Sequence, residues 1–559
     1  MSPRAAPPGA WAQRHRDGWR GVSLLGFALV GAFLVWPLGR VLVGSLLGDS
    51  GWLAVGETYG RALSHRYYRS SLLNSLALST AATVGAVGVG APLALALARY
   101  PIRGKAVVRT AANLALLSPP FIGAYSWVVL LGRNGLVTRG LESLGLGVPP
   151  IYGYRGILLV FVIQYFPFVF LLVSAGLAGV DQSLEDAALS LGSRPARALL
   201  GVVLPVIWPS LTAGALLVFM ATMADFGTPM ILGEGLRTLP TLMYGEFINE
   251  LGGNPTMAST LGSLLILINT TALMAQRYFA VRKAYHVVCL RPLEARRPAP
   301  ARLAAAAAAV YAVVAVALVP AATILVSSVM PTRGPVMHGG LSLQSYATVL
   351  HLVPRAVANT VILTALAVAL DVALGILLAY CLARRPSRPH ALLDALIMLA
   401  YAIPGTVVGV GLILVYNRPP VALTGTWGIL LVSYFIRHLP YPVRACTAML
   451  QQIDVRVEDA SISLGVPPFR TFWRITVPLM LPAILSGATL AWMTTIGELS
   501  SSILLYSGPW ATMSVEIFTQ VFSNHFGTAS ALASILIGAA ALPLFLLYRL
   551  LGDRSAVAL

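Results

Sequence analysis

Charge is scarce in this sequence: Asp, Glu, Lys and Arg supply 10% of the 559 residues, while 57% are hydrophobic and the mean hydropathy is +0.80. Soluble globular chains carry about a quarter of their residues as charges, so that class is excluded and the chain belongs in a bilayer. Cysteine is also scarce. Cys289, Cys381 and Cys446 stand alone at no metal or redox spacing, and the eight histidines are scattered, so no structural metal centre is expected. A Gly-x-x-x-x-Gly-Lys-Ser/Thr phosphate loop is missing, so this chain does not cradle ATP in the usual manner. No nucleophile and base stand together, and no catalytic residue is assigned.

What is present is length without polarity. A helix crosses the hydrocarbon with about 20 apolar residues, and such runs recur along the whole sequence, which a cleaved signal peptide cannot explain. Twelve are read: near Leu24 to Leu46, Leu72 to Ala98, Val107 to Leu131, Gly156 to Val180, Val206 to Ala224 and Leu261 to Ala280, then Leu303 to Val329, Val361 to Ala383, Leu392 to Tyr416, Gly428 to Leu450, Leu479 to Ile496 and Ala529 to Leu551. The tenth is the weakest, because Arg437 and His438 interrupt it. An all-α polytopic membrane protein with two six-helix halves is therefore expected, with a tail at 1–20, a first half at 21–280, a linker at 281–302 and a second half at 303–559.

The formal charge of +18 could suggest nucleic acid, but the basic residues sit in alternate loops. Arg4, Arg14, Arg16 and Arg20 precede the first span, Arg99, Arg103, Lys105 and Arg109 follow the second, Arg277, Arg282, Lys283, Arg291, Arg296 and Arg297 follow the sixth, and Arg384, Arg385 and Arg388 follow the eighth. By the positive-inside rule these loops and both termini are cytoplasmic. Arg61, Arg66 and Arg69 on the other side weaken the rule without reversing it. The basic excess reads as topology and attraction to anionic lipid, with no nucleic-acid partner.

The sequence repeats itself at fixed offsets. Asn74 and Asn359 open spans that end in Leu-Ala-Arg at Arg99 and Arg384, and Pro119 and Pro404 keep the same offset of 285 residues. Farther on the offset is 273, so the second half is twelve residues shorter in an external loop. It pairs Pro167 with Pro440, Asp181 with Asp454, Glu185 with Glu458, Asp186 with Asp459, Gly192 with Gly465, Pro205 with Pro478, Pro209 with Pro482 and Gly214 with Gly487. The seam around Val281 to Arg302 is rich in Arg, Pro and Ala and reads as a tether.

Two loops carry the strongest signal. The first reads DQSLEDAALSLGSRPARALLGVVLP from Asp181 to Pro205, and the second DVRVEDASISLGVPPFRTFWRITVP from Asp454 to Pro478. Asp181 and Asp454 suit N-caps, and Glu185, Asp186, Glu458 and Asp459 suit the positive end of a helix dipole. Gly192 and Gly465 suit a left-handed terminator, and Pro195 and Pro467 forbid continuation. The acids are expected to face water or a partner, with Leu184, Ala188 and Leu191, or Val457, Ser461 and Leu464, on another face. One such helix could be an ordinary amphipathic connector; two with the same spacing favour docking in a groove of another protein.

Glu-Asp-Ala-Ala at Glu185 to Ala188, then Gly192, and Leu-Pro ending at Pro205, resemble the EAA loop of ABC-importer permeases. The second copy, Glu458, Asp459, Ala460, Ser461 and Gly465, departs at Ser461 and has Val477 before Pro478. LPYPVRACTAMLQQIDVRVEDASISLG, IGELSSSILL and ADFGTPMILGEGLRTLPT look like the fused permeases of ferric-iron importers. The resemblance covers Asn74 onward and implies a type I importer permease: a multi-pass protein of the bacterial cytoplasmic membrane, with Asp181, Glu185, Asp186, Ala187, Ala188, Gly192 and Pro205, and their second-half counterparts, engaging two copies of a cytoplasmic ATPase. ATP and Mg²⁺ would lie on that ATPase, and an extracytoplasmic binding protein would deliver the cargo. Thiamine, polyamine, phosphonate and oxyanion permeases share much of the pattern, and a secondary transporter is the rival plan.

Within the membrane, Asp225 and Glu498 keep the 273 offset at the external ends of spans five and eleven. Charges there are costly. They read either as pathway acids that pass a cation or gate, or as caps of the external segment. Asp371, whose counterpart is Ala86, is expected to pair with Arg437, another span or a water-filled space. Gln164, Asn74 and Asn359 are expected to donate between helices. Pro119, Pro120, Pro404, Pro167 and Pro440 are expected to break helices near mid-membrane, either as kinks for packing or beside a pathway between the halves. No cluster of Tyr, Asp and Glu suggests an Fe(III) site.

Overall fold

The computed structural model describes residues 10–47, 54–147, 151–249, 253–282, 291, 293–295, 299–333 and 336–551. Arg4, Lys283, Cys289, Arg296 and Arg297 lie outside them. Apart from a two-residue antiparallel pair, Thr332–Arg333 with Val336–Met337, the described regular structure is helical.

Among the described residues, eight helices are long and apolar enough to cross a membrane: Trp19–Leu47, Arg66–Arg99, Tyr154–Ala178, Pro195–Ala224, Pro255–Phe279, Pro300–Ser328, Pro354–Arg384 and Phe526–Leu546. Two bent pairs bring the number to ten. Arg388–Ala402 meets Gly405–Tyr416 at 110°, and Pro468–Leu479 meets Leu481–Ile496 at 70°. Helices fill the other two of the twelve expected positions, but in pieces: Lys105–Leu117 with Pro120–Leu131, and Trp427–His438 with Pro440–Gln452. Proline lies at each break, and its ring leaves no N–H to donate; Ser118 and Ile403, ahead of Pro119 and Pro404, are extended, whereas Leu439, ahead of Pro440, keeps helical dihedrals. Pro119 and Pro404 adopt matching extended geometry, φ −54° and −56°, between their helices. Pro167 differs from expectation, lying inside the unbroken helix Tyr154–Ala178.

The halves are interlocked. The first span, Trp19–Leu47, packs on Pro255–Arg282 of its own half but also on Gly405–Tyr416 of the other. Pro300–Ser328 does the reverse, packing on Phe526–Leu551 and across on Lys105–Leu117 and Pro120–Leu131. Hydroxyls fasten both crossings: Tyr416 donates to Ala32 O at 2.9 Å, and Tyr311 to Arg103 O at 2.7 Å. Small residues bring spans close where the repeat demands it. A Cβ on Gly214 would stand 3.0 Å from Val169 Cα, and one on its partner Gly487 2.7 Å from Pro442 Cα.

After spans five and eleven come short helices that the hydropathy pattern did not announce: Gly227–Leu232 and Leu239–Phe247, then Ser502–Leu505 and Met513–Phe522. Equivalent side chains pin both sets. Ser75 Oγ accepts from Leu239 N at 2.8 Å and Thr360 Oγ1 from Met513 N at 2.7 Å. Asn74 donates to Arg237 O at 3.2 Å, and Asn359 to Pro509 O and Ala511 O at 3.0 Å, so these asparagines hold irregular backbone in place.

Candidate functional site

Asp181 and Asp454 cap the short helices Gln182–Ser190 and Val455–Ser463, accepting from Ser183 N at 2.8 Å and Arg456 N at 2.9 Å. Gly192 and Gly465 both take φ +85°, where glycine bears no Cβ penalty. Pro205 and Pro478 follow π turns, Leu199–Val203 and Phe472–Thr476, at equivalent positions. A proline there cannot donate to the carbonyl four residues back, so the ladder slips by one residue.

The glutamates turn inward, contrary to the expectation that they face water or a partner. Glu185 pairs with Arg99, and Glu458 accepts from Arg384 Nε at 3.0 Å and Tyr380 OH at 3.0 Å. The two carboxylates are 1% and 7% exposed and both arginines 11%. A charge so buried has to be paired, and the arginines that end spans two and eight are the partners within reach. Asp186 is half-buried, and Asp459, Ala187 and Ala460 are exposed. The expected apolar faces divide: Ser461 is buried and bonds Thr471 Oγ1 at 2.9 Å, whereas Leu191 and Leu464 at the helix ends are 88% and 85% exposed.

The acids of spans five and eleven meet at a cavity of about 360 Å³ between the halves, lined by Pro119, Gln164, Tyr165 and Asp225 from one and by Tyr401, Arg437, His438, Tyr441 and Glu498 from the other. Each acid also caps. Asp225 accepts from Thr228 N at 2.8 Å, and Glu498 from Ser501 N at 3.0 Å, again 273 residues on. Their second partners differ: Tyr165 OH donates to Asp225 at 3.0 Å, while Arg437 pairs with Glu498. Gln164, the counterpart of Arg437, donates to Ala115 O at 3.0 Å and Ser118 O at 2.6 Å, carbonyls beside the Pro119 break. Pro404 does not line the cavity, but a Cβ on the next residue, Gly405, would stand 2.9 Å from Glu498 Oε1. Arg437 therefore serves Glu498 and not Asp371, whose buried carboxylate oxygens have no hydrogen-bond partner among the described residues. The tyrosines, far apart in sequence, do gather around the acids, which the sequence pattern did not reveal.

The profile of a family described as the inner membrane component of binding-protein-dependent transport systems matches residues 86–285 and, beginning 285 residues later, 371–557. This chain belongs to that family. The ferric transport system permease protein FbpB of Actinobacillus pleuropneumoniae is 27% identical over 533 residues, 91% of this chain and 75% of its own. A putative ferric transport permease, FbpB 1 of Haemophilus influenzae, is 28% identical over 495 residues, 85% of this chain and 76% of its own. A putative 2-aminoethylphosphonate permease, PhnU of Salmonella paratyphi A, is 28% identical over 232 residues, 41% of this chain and 80% of its own.

The two loops of this permease are braced differently. Around the first, Arg291 N donates to Asp181 Oδ2 at 3.1 Å, Gln182 N to Arg291 O at 2.9 Å and Glu294 N to Gln182 Oε1 at 3.2 Å, while Leu293 lines a groove with Ala94, Leu97 and Leu177. These linker residues are therefore more than a tether. Around the second, Trp19 stacks on Tyr380 with centroids 4.3 Å apart and meets Phe472 edge-on at 5.1 Å. Residues at or just ahead of the first span of each half thus hold the loop of the other half. Val455 stands where the first loop has Gln182, whose side chain also donates to Asp186 Oδ1 at 2.8 Å, so Gln182→Val is expected to speed amide exchange in Gln182–Ser190 by at least about 10-fold, the worth of two hydrogen bonds. Exchange in Val455–Ser463 should not change; equal acceleration in both helices would contradict separate bracing.

Proposed function

We propose that this permease carries ferric iron across the bacterial cytoplasmic membrane, driven by two copies of a cytoplasmic ATPase seated on Gln182–Ser190 and Val455–Ser463 and supplied by an extracytoplasmic binding protein. The observation that carries the proposal is the duplicated loop. Each copy joins an aspartate cap, a buried glutamate and arginine, a left-handed glycine and an exposed leucine. A short helix gripped from within and apolar at its tip suits insertion into a groove of a partner.

The grip also provides transmission. Because Glu185 and Glu458 hold Arg99 and Arg384, displacement of either short helix bears directly on Arg66–Arg99 or Pro354–Arg384. Closure of the ATPase pair would then rock the halves about the cavity between them. ATP and Mg²⁺ would sit on the ATPase, since this sequence has no phosphate loop, and this chain would supply no catalytic group. Both termini would lie on the ATPase side. Iron is favoured over phosphonate because the relatives named for ferric transport match 91% and 85% of the chain, and the one named for 2-aminoethylphosphonate 41%.

Purifying the tagged permease from its native membrane is expected to bring down two ATPase copies per chain. The reconstituted complex should take up iron only when ATP is present on the ATPase side. Uptake driven by an ion gradient with no ATPase present would make the chain a secondary transporter instead.

A further inference from the structure

The cavity between the halves is asymmetric in charge as well as in lining. Two carboxylates and one guanidinium face it, and the guanidinium of Arg437 is already committed to Glu498. Among the described residues the partners of Asp225 are neutral, the Tyr165 hydroxyl and the Thr228 amide. One negative charge in a cavity walled by membrane spans is therefore left without a cation from the protein. Around it stand oxygen donors: Tyr165, Tyr401 and Tyr441 line the same space. His438 adds a nitrogen, because its Nδ1 lies 2.8 Å from Tyr434 O and so carries the proton when the ring is neutral, leaving the Nε2 lone pair open.

We propose that this cavity is a transit site for a small, hard cation that keeps part of its water shell, with Asp225 as its anionic contact and the three tyrosine hydroxyls as surrounding donors. Phenol and carboxylate oxygens suit hard metal ions. About 360 Å³ is far above the roughly 10–15 Å³ that one water needs, enough for an ion with several waters. Among the described residues no three His, Cys, Asp or Glu side chains converge as a metal centre, so this is a loose transit site and not a closed coordination shell. Glu498 has the complementary task of keeping Arg437 from repelling it. An anionic cargo would instead meet two carboxylates against a single guanidinium, which pairs with one of them. The inference rests on the permease reading and gives its cargo a place along the path between the halves.

The test uses the full chain in lipid nanodiscs with Tb³⁺, a hard trivalent probe whose emission is sensitised by nearby tyrosine. Saturable emission is expected, displaced by Ga³⁺ and not by spermidine. Asp225→Asn, which keeps an acceptor for Thr228 N, is expected to weaken binding by at least about tenfold, and Asp225→Glu to restore it to within about threefold. Arg437→Gln should bind no more weakly than the unaltered chain. No sensitised emission, equal emission from Asp225→Asn, or displacement by spermidine and not by Ga³⁺ would overturn the site. Because the assay contains no ATPase, normal Tb³⁺ binding without ATP-dependent uptake would remove the importer reading and keep the site, and the opposite pair of results would do the reverse.

Discussion

Alanine at both Glu185 and Glu458 is expected to lower uptake by at least about 100-fold while leaving the protein in the membrane. Each substitution takes the carboxylate from an arginine that is only 11% exposed, Arg384 keeping the Ile453 carbonyl at 2.9 Å, and breaking such a pair from one side costs about 3 to 5 kcal/mol. The loop helices are nine residues long, too short to hold themselves together in isolation, so the loss falls on the seating of the loops and not on the twelve-position bundle. Limited proteolysis between Asp181 and Pro205, and between Asp454 and Pro478, should become faster, and ATP hydrolysis should stop responding to loaded binding protein. Glutamine at the same positions retains an acceptor for the arginine and should lose less. Full uptake by the double alanine variant would show that the buried pairs carry no thrust.

Valine at both Gly192 and Gly465 is expected to separate hydrolysis from transport. A Cβ at either site meets nothing within 4 Å, so crowding plays no part. The cost comes from φ +85°, which a β-branched residue adopts only with strain of about 1 to 3 kcal/mol. The chain relieves that strain by redirecting the backbone just where each helix ends, beside the exposed Leu191 and Leu464. Basal hydrolysis should persist, stimulation by loaded binding protein should vanish, and uptake should fall by at least about tenfold. Stimulated hydrolysis at the unaltered level would remove these loops from the mechanism.

Residues whose role is local were legible in the sequence. A cap, a left-handed glycine and a helix-breaking proline each act within a few neighbours, so Asp181, Gly192 and Pro119 could be read from spacing, and the duplication confirmed the register. Partners brought together by topology were hidden. Nothing in the spacing says that Arg99 turns toward Glu185, because basic residues at a span end serve topology equally well. The same holds for Arg437, which interrupts a hydrophobic run and finds Glu498 only when spans ten and eleven pack. Tyr165, Tyr401 and Tyr441 come from three different spans, and membrane aromatics are common enough that none stood out. The short helices after Asp225 and Glu498 escaped notice because their composition matches that of the spans around them. The crossed bracing by Trp19 and Arg291 depends on first spans that pack against the opposite half, an interlock with no signature in hydropathy.

The claim that two loops of one chain engage one ATPase each is tested most directly by iron uptake into proteoliposomes containing the permease, its ATPase and loaded binding protein, measured with and without ATP alongside ATPase stoichiometry. Uptake that requires ATP, with two ATPase copies bound per chain and both lost from the Glu185→Ala, Glu458→Ala variant, is the expected result. Uptake that continues without ATP, or an ATPase that remains fully bound to that variant, would contradict it.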